Sequence, residues 1–256
     1  MFSKFIEMIP ESAREWFDVN RAVVKVALVV VAGAILLFWF LSNPPVVVGD
    51  ARACKVVILL HGYGADKNDL VSVARSVTQA APDTRFILPQ APHSVMGGYS
   101  WIPTFQAESK EAVEVKMVEY RKEARKIVVD IINDVVSDGV SPHNIYLGGF
   151  SQGGAVALDV ILNEEAAAEI GGLLFLSGGG MKLDLDLLAS HAPLKAFVSH
   201  AKADPMVSVN VSKTLVAALE KGGHQVEFIL FDKGHTIAPE ALLALRNFMA
   251  DKECEF

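Results

Sequence analysis

The apolar positions of this chain follow two different patterns. From Ala22 to Leu41 the sequence reads AVVKVALVVVAGAILLFWFL, apolar on every face, with Lys25 as its one charge. Its length matches the ~20 residues that cross ~30 Å of hydrocarbon at 1.5 Å per residue. Lys25 lies one turn inside the start, where its stem can snorkel, and Phe38, Trp39 and Phe40 supply an aromatic belt at the other end. The pattern predicts a transmembrane helix over 22–41. A buried core helix is the alternative, but an α/β domain has little room for a helix apolar all round. A cleaved signal peptide has a shorter apolar run with a small-residue site close behind, and Ser42-Asn43-Pro44-Pro45 offers none.

Beyond Pro45 short apolar runs alternate with amphipathic stretches. This spacing predicts strands at Lys55 to Leu60, Arg85 to Leu88, Asn144 to Leu147, Leu173 to Leu176, Lys195 to Ser199 and Val226 to Phe231. It predicts helices near Asp69 to Ala80, Lys110 to Val136, Gln152 to Leu162, Val209 to Lys221 and Pro239 to Ala250, punctuated by Gly139 and Gly222-Gly223. Alternation of this kind implies an α/β fold, a mostly parallel sheet with helices on both faces. The expected layout is an N-terminal cytoplasmic or interfacial segment (1–21), the membrane helix (22–41), a linker (42–54) and one catalytic domain (55–256). In the first segment Ser12 and Glu15 form a capping box, and Phe2, Phe5, Ile6 and Ile9 share a helical face.

Composition changes this picture in three places. The apolar segment accounts for much of the 52% hydrophobic content and the mean hydropathy of +0.35. A formal net charge of -7 without a basic cluster excludes a nucleic-acid partner. Cys54 and Cys254, the two cysteines, sit at opposite ends of the soluble part, so no disulfide framework is expected and no metal-ligand spacing occurs. Basic residues favour the N-terminal side of the span, with Arg14, Arg21 and Lys25 against Arg52 and Lys55. That bias puts the N-terminus in the cytoplasm and the catalytic domain on the extracytoplasmic or periplasmic side.

The chemistry gathers where strands end. Gly149-Phe150-Ser151-Gln152-Gly153 follows a predicted strand and opens a predicted helix, the context of a Gly-x-Ser-x-Gly nucleophile elbow. A hydroxyl needs a base and an acid to orient it, in chain order serine, acid, histidine. Of the histidines, His200, His224 and His235 follow or lie near later strands, but His224 falls at a strand start, the wrong edge. His235 follows the last strand on a Gly-containing loop and is the expected base. Asp204, fixed by Pro205, is favoured as the acid over Asp184, Asp186 and Asp232. The oxyanion hole is expected from the backbone amides of Gln152 and Tyr63, with Gly62 allowing close approach. His61 precedes the serine and is expected to hold its loop rather than serve as a second base.

At these residues the chain resembles the phospholipase/carboxylesterase family of α/β-hydrolases, which includes acyl-protein thioesterases. The likeness runs from about Lys55 to Ala250 through LLHGYGADKNDL, LPQAPHSVMGGYSWIP, GGFSQGGAVAL, SHAKADPMV and DKGHTIAPE. It implies a cofactor-free serine esterase or thioesterase using Ser151, Asp204 and His235 on a small-molecule or lipid acyl substrate. It also implies that the loop from Met96 to Phe105 borders an acyl groove, which Trp101 either walls or merely flanks as packing for a surface loop. Ala201 and Ser208 depart from the glycine and proline usual in the family, and the strands ahead of the HG block are curtailed. A silent binding module and a same-fold peptide or lactone hydrolase are the rival readings. The intact set of three residues argues against the first.

Overall fold

A computed structural model describes residues 43–106, 108–251 and 254. The expected membrane helix and the segment ahead of it lie outside these residues. Among the described residues no helix is long and apolar enough to cross a membrane.

Among the described residues nine strands and five α-helices follow one another as β1 (Val46–Val48), β2 (Lys55–Leu60), α1 (Val71–Ala80), β3 (Thr84–Leu88), β4 (His93–Val95), β5 (Gly98–Ser100), α2 (Lys110–Ser137), β6 (Ile145–Phe150), α3 (Gln152–Asn163), β7 (Gly172–Leu176), β8 (Lys195–Ala201), α4 (Val209–Lys221), β9 (Gln225–Phe231) and α5 (Pro239–Ala250). Seven of the strands form one sheet in the order β1-β3-β2-β6-β7-β8-β9. Six run parallel, and β1 alone is antiparallel, pairing Val46 with Leu88 and Val48 with Phe86. The expected linker 42–54 therefore holds a short edge strand.

Layering explains the sequence pattern. All six residues of β2, Lys-Val-Val-Ile-Leu-Leu, are buried, as a strand covered on both faces requires. Val57, Leu59, Leu174 and Phe197 pack with Val73 and Val77 of α1 and with Leu245, Phe248 and Met249 of α5. Alternate strand residues point to the other face, where α2 and α3 pack. Helix α2 starts at Ser109, whose side chain accepts from the Ala112 amide, and ends before Gly139, whose φ of 91° a Cβ would penalise. From Ala124 onward it buries Ile127, Val128, Ile131, Ile132 and Val135, whereas Val113, Val115 and Val118 in its first turns stay exposed.

Cys54 and Cys254 are joined in a disulfide with Cα atoms 6.0 Å apart across a separation of 200 residues, which corrects the expectation of no disulfide framework: the two ends of the domain meet in the fold. The parallel topology brings the end of α5 back beside the start of β2. Lys55, fully buried there, donates to the Met249 carbonyl at 2.9 Å and pairs with Asp83 at 3.0 Å.

Candidate active site

In a parallel sheet every strand ends at the same edge, so loops distant in sequence meet there. Ser151 follows β6 with φ 54° and ψ -119°, a strained conformation imposed by the abrupt turn from strand to helix. The turn fits because its neighbours lack side chains: a Cβ on Gly153 would strike the Leu60 carbonyl oxygen, and one on Gly149 would strike Gly153.

Ser151 Oγ donates to His235 Nε2 at 2.8 Å, and His235 Nδ1 donates to Asp204 Oδ2 at 2.7 Å. The carboxylate acceptor sets the tautomer, leaving Nε2 free to receive the hydroxyl proton. Asp204 follows β8, and its other oxygen accepts from the Met206 and Val207 amides at 2.8 and 2.9 Å. Burial pushes the Asp204 carboxyl up, but the Val207 amide, His235 and the Met206 amide outweigh it and hold the acid below its ordinary range. The Phe150 ring lies 4.8 Å from the imidazole of His235, centroid to centroid, and walls one side of it.

The loop after β2 lies against the serine. A Cβ on Gly62 would come within 3.4 Å of Ser151 Cβ, so the neighbouring Tyr63 and the start of α3 at Gln152 border the same space. His61 is buried, donates from Nδ1 to the Gly62 carbonyl at 2.8 Å and accepts at Nε2 from the Ala91 amide at 3.1 Å. Burial pushes its pKa down, against the Gly62 hydrogen bond and the charges of Asp69 and Asp66. It ties the loops after β2 and β3 together.

Trp101 does not wall a groove. Its side chain is completely buried, and Nε1 donates to the His61 carbonyl at 2.9 Å. Of the two roles expected for Trp101, packing of its loop is the one these contacts favour, with its ring 5.5 Å from that of His61, centroid to centroid. The other candidates also separate clearly. His224 is buried between the Leu194 amide and the Leu188 carbonyl, Asp184 caps a 3-10 turn, and Asp232 pairs with Lys202 at 3.0 Å.

Three supporting side chains escape a reading of the sequence alone. Gln152 Oε1 accepts from the Trp101 amide at 3.0 Å while Nε2 donates to the Ile102 carbonyl at 2.7 Å. Ser177, with φ 48°, donates to the Thr236 carbonyl at 3.3 Å beside the base. His200 bonds Ser212 and the Val207 carbonyl under the acid loop, at 2.7 and 3.0 Å. Only their positions at strand ends or at the elbow could have marked them.

Beyond Ser151 the segment from Gly179 to Lys182 opens away, with the Gly179 amide donating to the Ser151 carbonyl at 3.2 Å. On one side of this segment lies an apolar cavity of about 350 Å³ lined by Ala155, Leu158, Phe175, Met181 and Leu215. On the other, a groove of about 500 Å³ runs along Val113, Met117 and Val118 of α2. A larger cavity of about 750 Å³ sits at the opposite sheet edge by Arg85 and Asn144, away from Ser151.

A profile of the phospholipase/carboxylesterase family matches residues 41–252. Among curated proteins, acyl-protein thioesterase 1 of Kluyveromyces lactis is 30% identical over 190 residues, covering 69% of this chain and 81% of that protein. A probable carboxylesterase of Oryza sativa is 29% identical over 211 residues, covering 77% and 87%. Among solved structures, esterase PE8 superposes with a TM-score of 0.67 at 27% identity, covering 81% of this chain and 97% of that one. A phospholipase/carboxylesterase from Dyadobacter fermentans shares the fold, with a TM-score of 0.64 at 22% identity over 81% and 96% of the two chains. A likeness that spans the whole domain, with its glycine-flanked serine at the sheet edge, has one meaning: the chain belongs to the phospholipase/carboxylesterase family of α/β-hydrolases.

Proposed function

We propose that this protein is a membrane-anchored serine hydrolase that cleaves acyl esters or thioesters through an acyl-enzyme. The observation that carries the reading is the unbroken relay from Ser151 Oγ through His235 to Asp204, at 2.8 and 2.7 Å. In the first step His235 Nε2 takes the hydroxyl proton as Ser151 Oγ attacks the carbonyl carbon. The Tyr63 and Gln152 amides stabilise the oxyanion, and the N-terminal end of α3 adds its dipole. The imidazolium, held by Asp204, then protonates the departing alcohol or thiol. In the second step His235 deprotonates water, which releases the acid and restores the serine.

The names of the relatives support an acyl ester or thioester as substrate. The apolar cavity and groove beside Gly179 support an apolar acyl group. Residues 22–41 supply the anchor in this reading, with the catalytic domain on the extracytoplasmic side. Two features support that side: the basic bias ahead of the span, and the disulfide between Cys54 and Cys254, since such bonds persist in oxidising compartments.

The test is Ser151→Ala, assayed on p-nitrophenyl esters and acyl-thioesters of graded length. The expected result is a fall in kcat of about 10⁴-fold or more with unchanged thermal unfolding. Retention of wild-type turnover would remove Ser151 from the chemistry.

A further inference from the structure

The apolar cavity of about 350 Å³ beside Gly179 has a floor and a rim of different character. Ala155 and Leu158 of α3, Phe175 of β7 and Leu215 of α4 form the floor, and all are buried. Polar side chains that reach solvent stand at the rim: Lys182 on the segment after β7, and Asn210 and Thr214 on α4. The spacing of Asn210 and Thr214 puts them on one helix face, a turn apart. Among the described residues no hydrogen bond or ion pair engages the Lys182 ammonium, the Asn210 side-chain amide or the Thr214 hydroxyl. A mostly apolar pocket with a few convergent polar groups is the form that small-molecule sites take.

These groups set the charge of the ligand. Among the described residues Lys182 is the only charged one that lines the cavity. An ammonium, an amide N–H and a hydroxyl can all donate, which suits an acceptor-only group such as a carboxylate. Asn210 is the second residue of α4, so the positive end of that helix lies beside the rim and favours an anion as well. The nearest acids do not oppose this: Asp184 accepts from the Asp186 amide, and Glu114 borders the groove on the other side of the Gly179–Lys182 segment. Position ties the cavity to the reaction. The Ala155 and Gly179 amides, from two residues that line it, both donate to the Ser151 carbonyl, at 3.3 and 3.2 Å. The cavity thus begins at the backbone that carries the nucleophile.

We propose that this cavity is a binding site for a medium-length apolar chain that ends in a carboxylate. The chain lies on the floor, and Lys182, Asn210 and Thr214 hold the carboxylate at the rim. An acyl hydrolase meets such a chain in two ways: as the free acid it releases, or as the acyl group of a half-ester whose far end carries a second carboxylate. This choice of sources rests on the function proposed above, whereas the site itself does not.

The experiment titrates octanoate by calorimetry into the full chain carrying Ser151→Ala, solubilised in a non-ionic detergent. Octanamide, equal in length and uncharged, is the comparison. Val211→Trp, at a solvent-exposed position on α4 that lines the cavity, closes the mouth and gives the uptake by detergent alone. Octanoate is expected to bind, octanamide to bind more weakly, and the Val211→Trp protein to bind neither. Adding Lys182→Gln should weaken octanoate about fivefold, the upper range for an exposed ion pair, and high salt should shrink that difference. Binding that survives Val211→Trp, or an octanoate affinity indifferent to Lys182→Gln at low salt, would overturn the proposal. Kinetics with Ser151 intact then separate the two sources, comparing the p-nitrophenyl half-ester of octanedioic acid with p-nitrophenyl octanoate. If Lys182→Gln lowers the ratio of their kcat/KM values, the bound carboxylate is the substrate's own. If the ratio holds while octanoate binding falls, it is the released acid. Wild-type turnover by the Ser151→Ala protein would sink the hydrolase reading and leave the binding result standing.

Discussion

The side-chain amide of Gln152 spans the backbone of Ile102, its Oε1 accepting from the Ile102 amide at 3.4 Å and its Nε2 donating to the Ile102 carbonyl at 2.7 Å. The same residue is expected to aim its own backbone amide at the oxyanion. Its side chain therefore braces the hairpin after β3 against the mouth of the elbow, and Trp101, donating to the His61 carbonyl, extends that brace to the second oxyanion loop.

Replacing Gln152 with Met keeps bulk and removes these bonds. Leaving the Trp101 amide unpaired costs about 1–3 kcal/mol, whereas the Ile102 carbonyl keeps the Ser100 hydroxyl at 2.7 Å. If part of that is felt in the transition state, kcat falls by about tenfold while KM for a short ester changes little. Steady-state kinetics on the variant check this, and an unchanged kcat would leave the brace without a catalytic role.

Two groups make stability depend on acid. Burial holds His61 below its ordinary 6.5, and the amides and His235 hold Asp204 below its ordinary 3.8. For both, the unfolded chain binds the proton more readily, so stability is complete above the ordinary value and drains away as pH falls toward the folded one. Thermal unfolding should therefore show Tm declining from about pH 6.5 downward and again below about pH 4. His61→Asn should flatten the first decline and Asp204→Asn the second.

Asp159, buried in α3, holds Arg121 of α2 through both of its oxygens, with Arg121 Nε at 3.1 Å and Arg125 Nη1 at 3.4 Å. Removing one partner of a buried ion pair is expected to destabilise by about 3 kcal/mol, moderated because both arginines reach solvent. Asp159→Ala in urea unfolding checks it. A loss below about 0.5 kcal/mol, the scale of an exposed pair, would contradict the account.

The Cys54–Cys254 bond closes a long loop, and such a bond contributes about 2–4 kcal/mol. Cys54→Ser, Cys254→Ser and reduction of the native protein should lower Tm by the same amount. Adding a reductant to either variant should change nothing further.

Much of this was legible along the chain because it depends on local order. β2 reads as Val-Val-Ile-Leu-Leu since both faces are covered, and α4 and α5 were expected with the boundaries they have, which the structure shows capped by Ser208 and opened by Pro239. β1 and the β4–β5 hairpin were not expected. Each strand is three residues long, too short for an alternation to register, and exists because β3 and Ala65 offer it partners.

The elbow around Ser151 and the order serine, aspartate, histidine belong to the sequence alone, because a strained turn between strand and helix demands glycines in set places. Tertiary structure decided what no spacing could encode. It buried Trp101 instead of displaying it, and it joined two cysteines 200 residues apart. It also set the direction of β1, and with it the edge at which the chain enters the domain. Those outcomes depend on which surfaces the folded sheet leaves to be covered, and that is settled only when all the strands are in register.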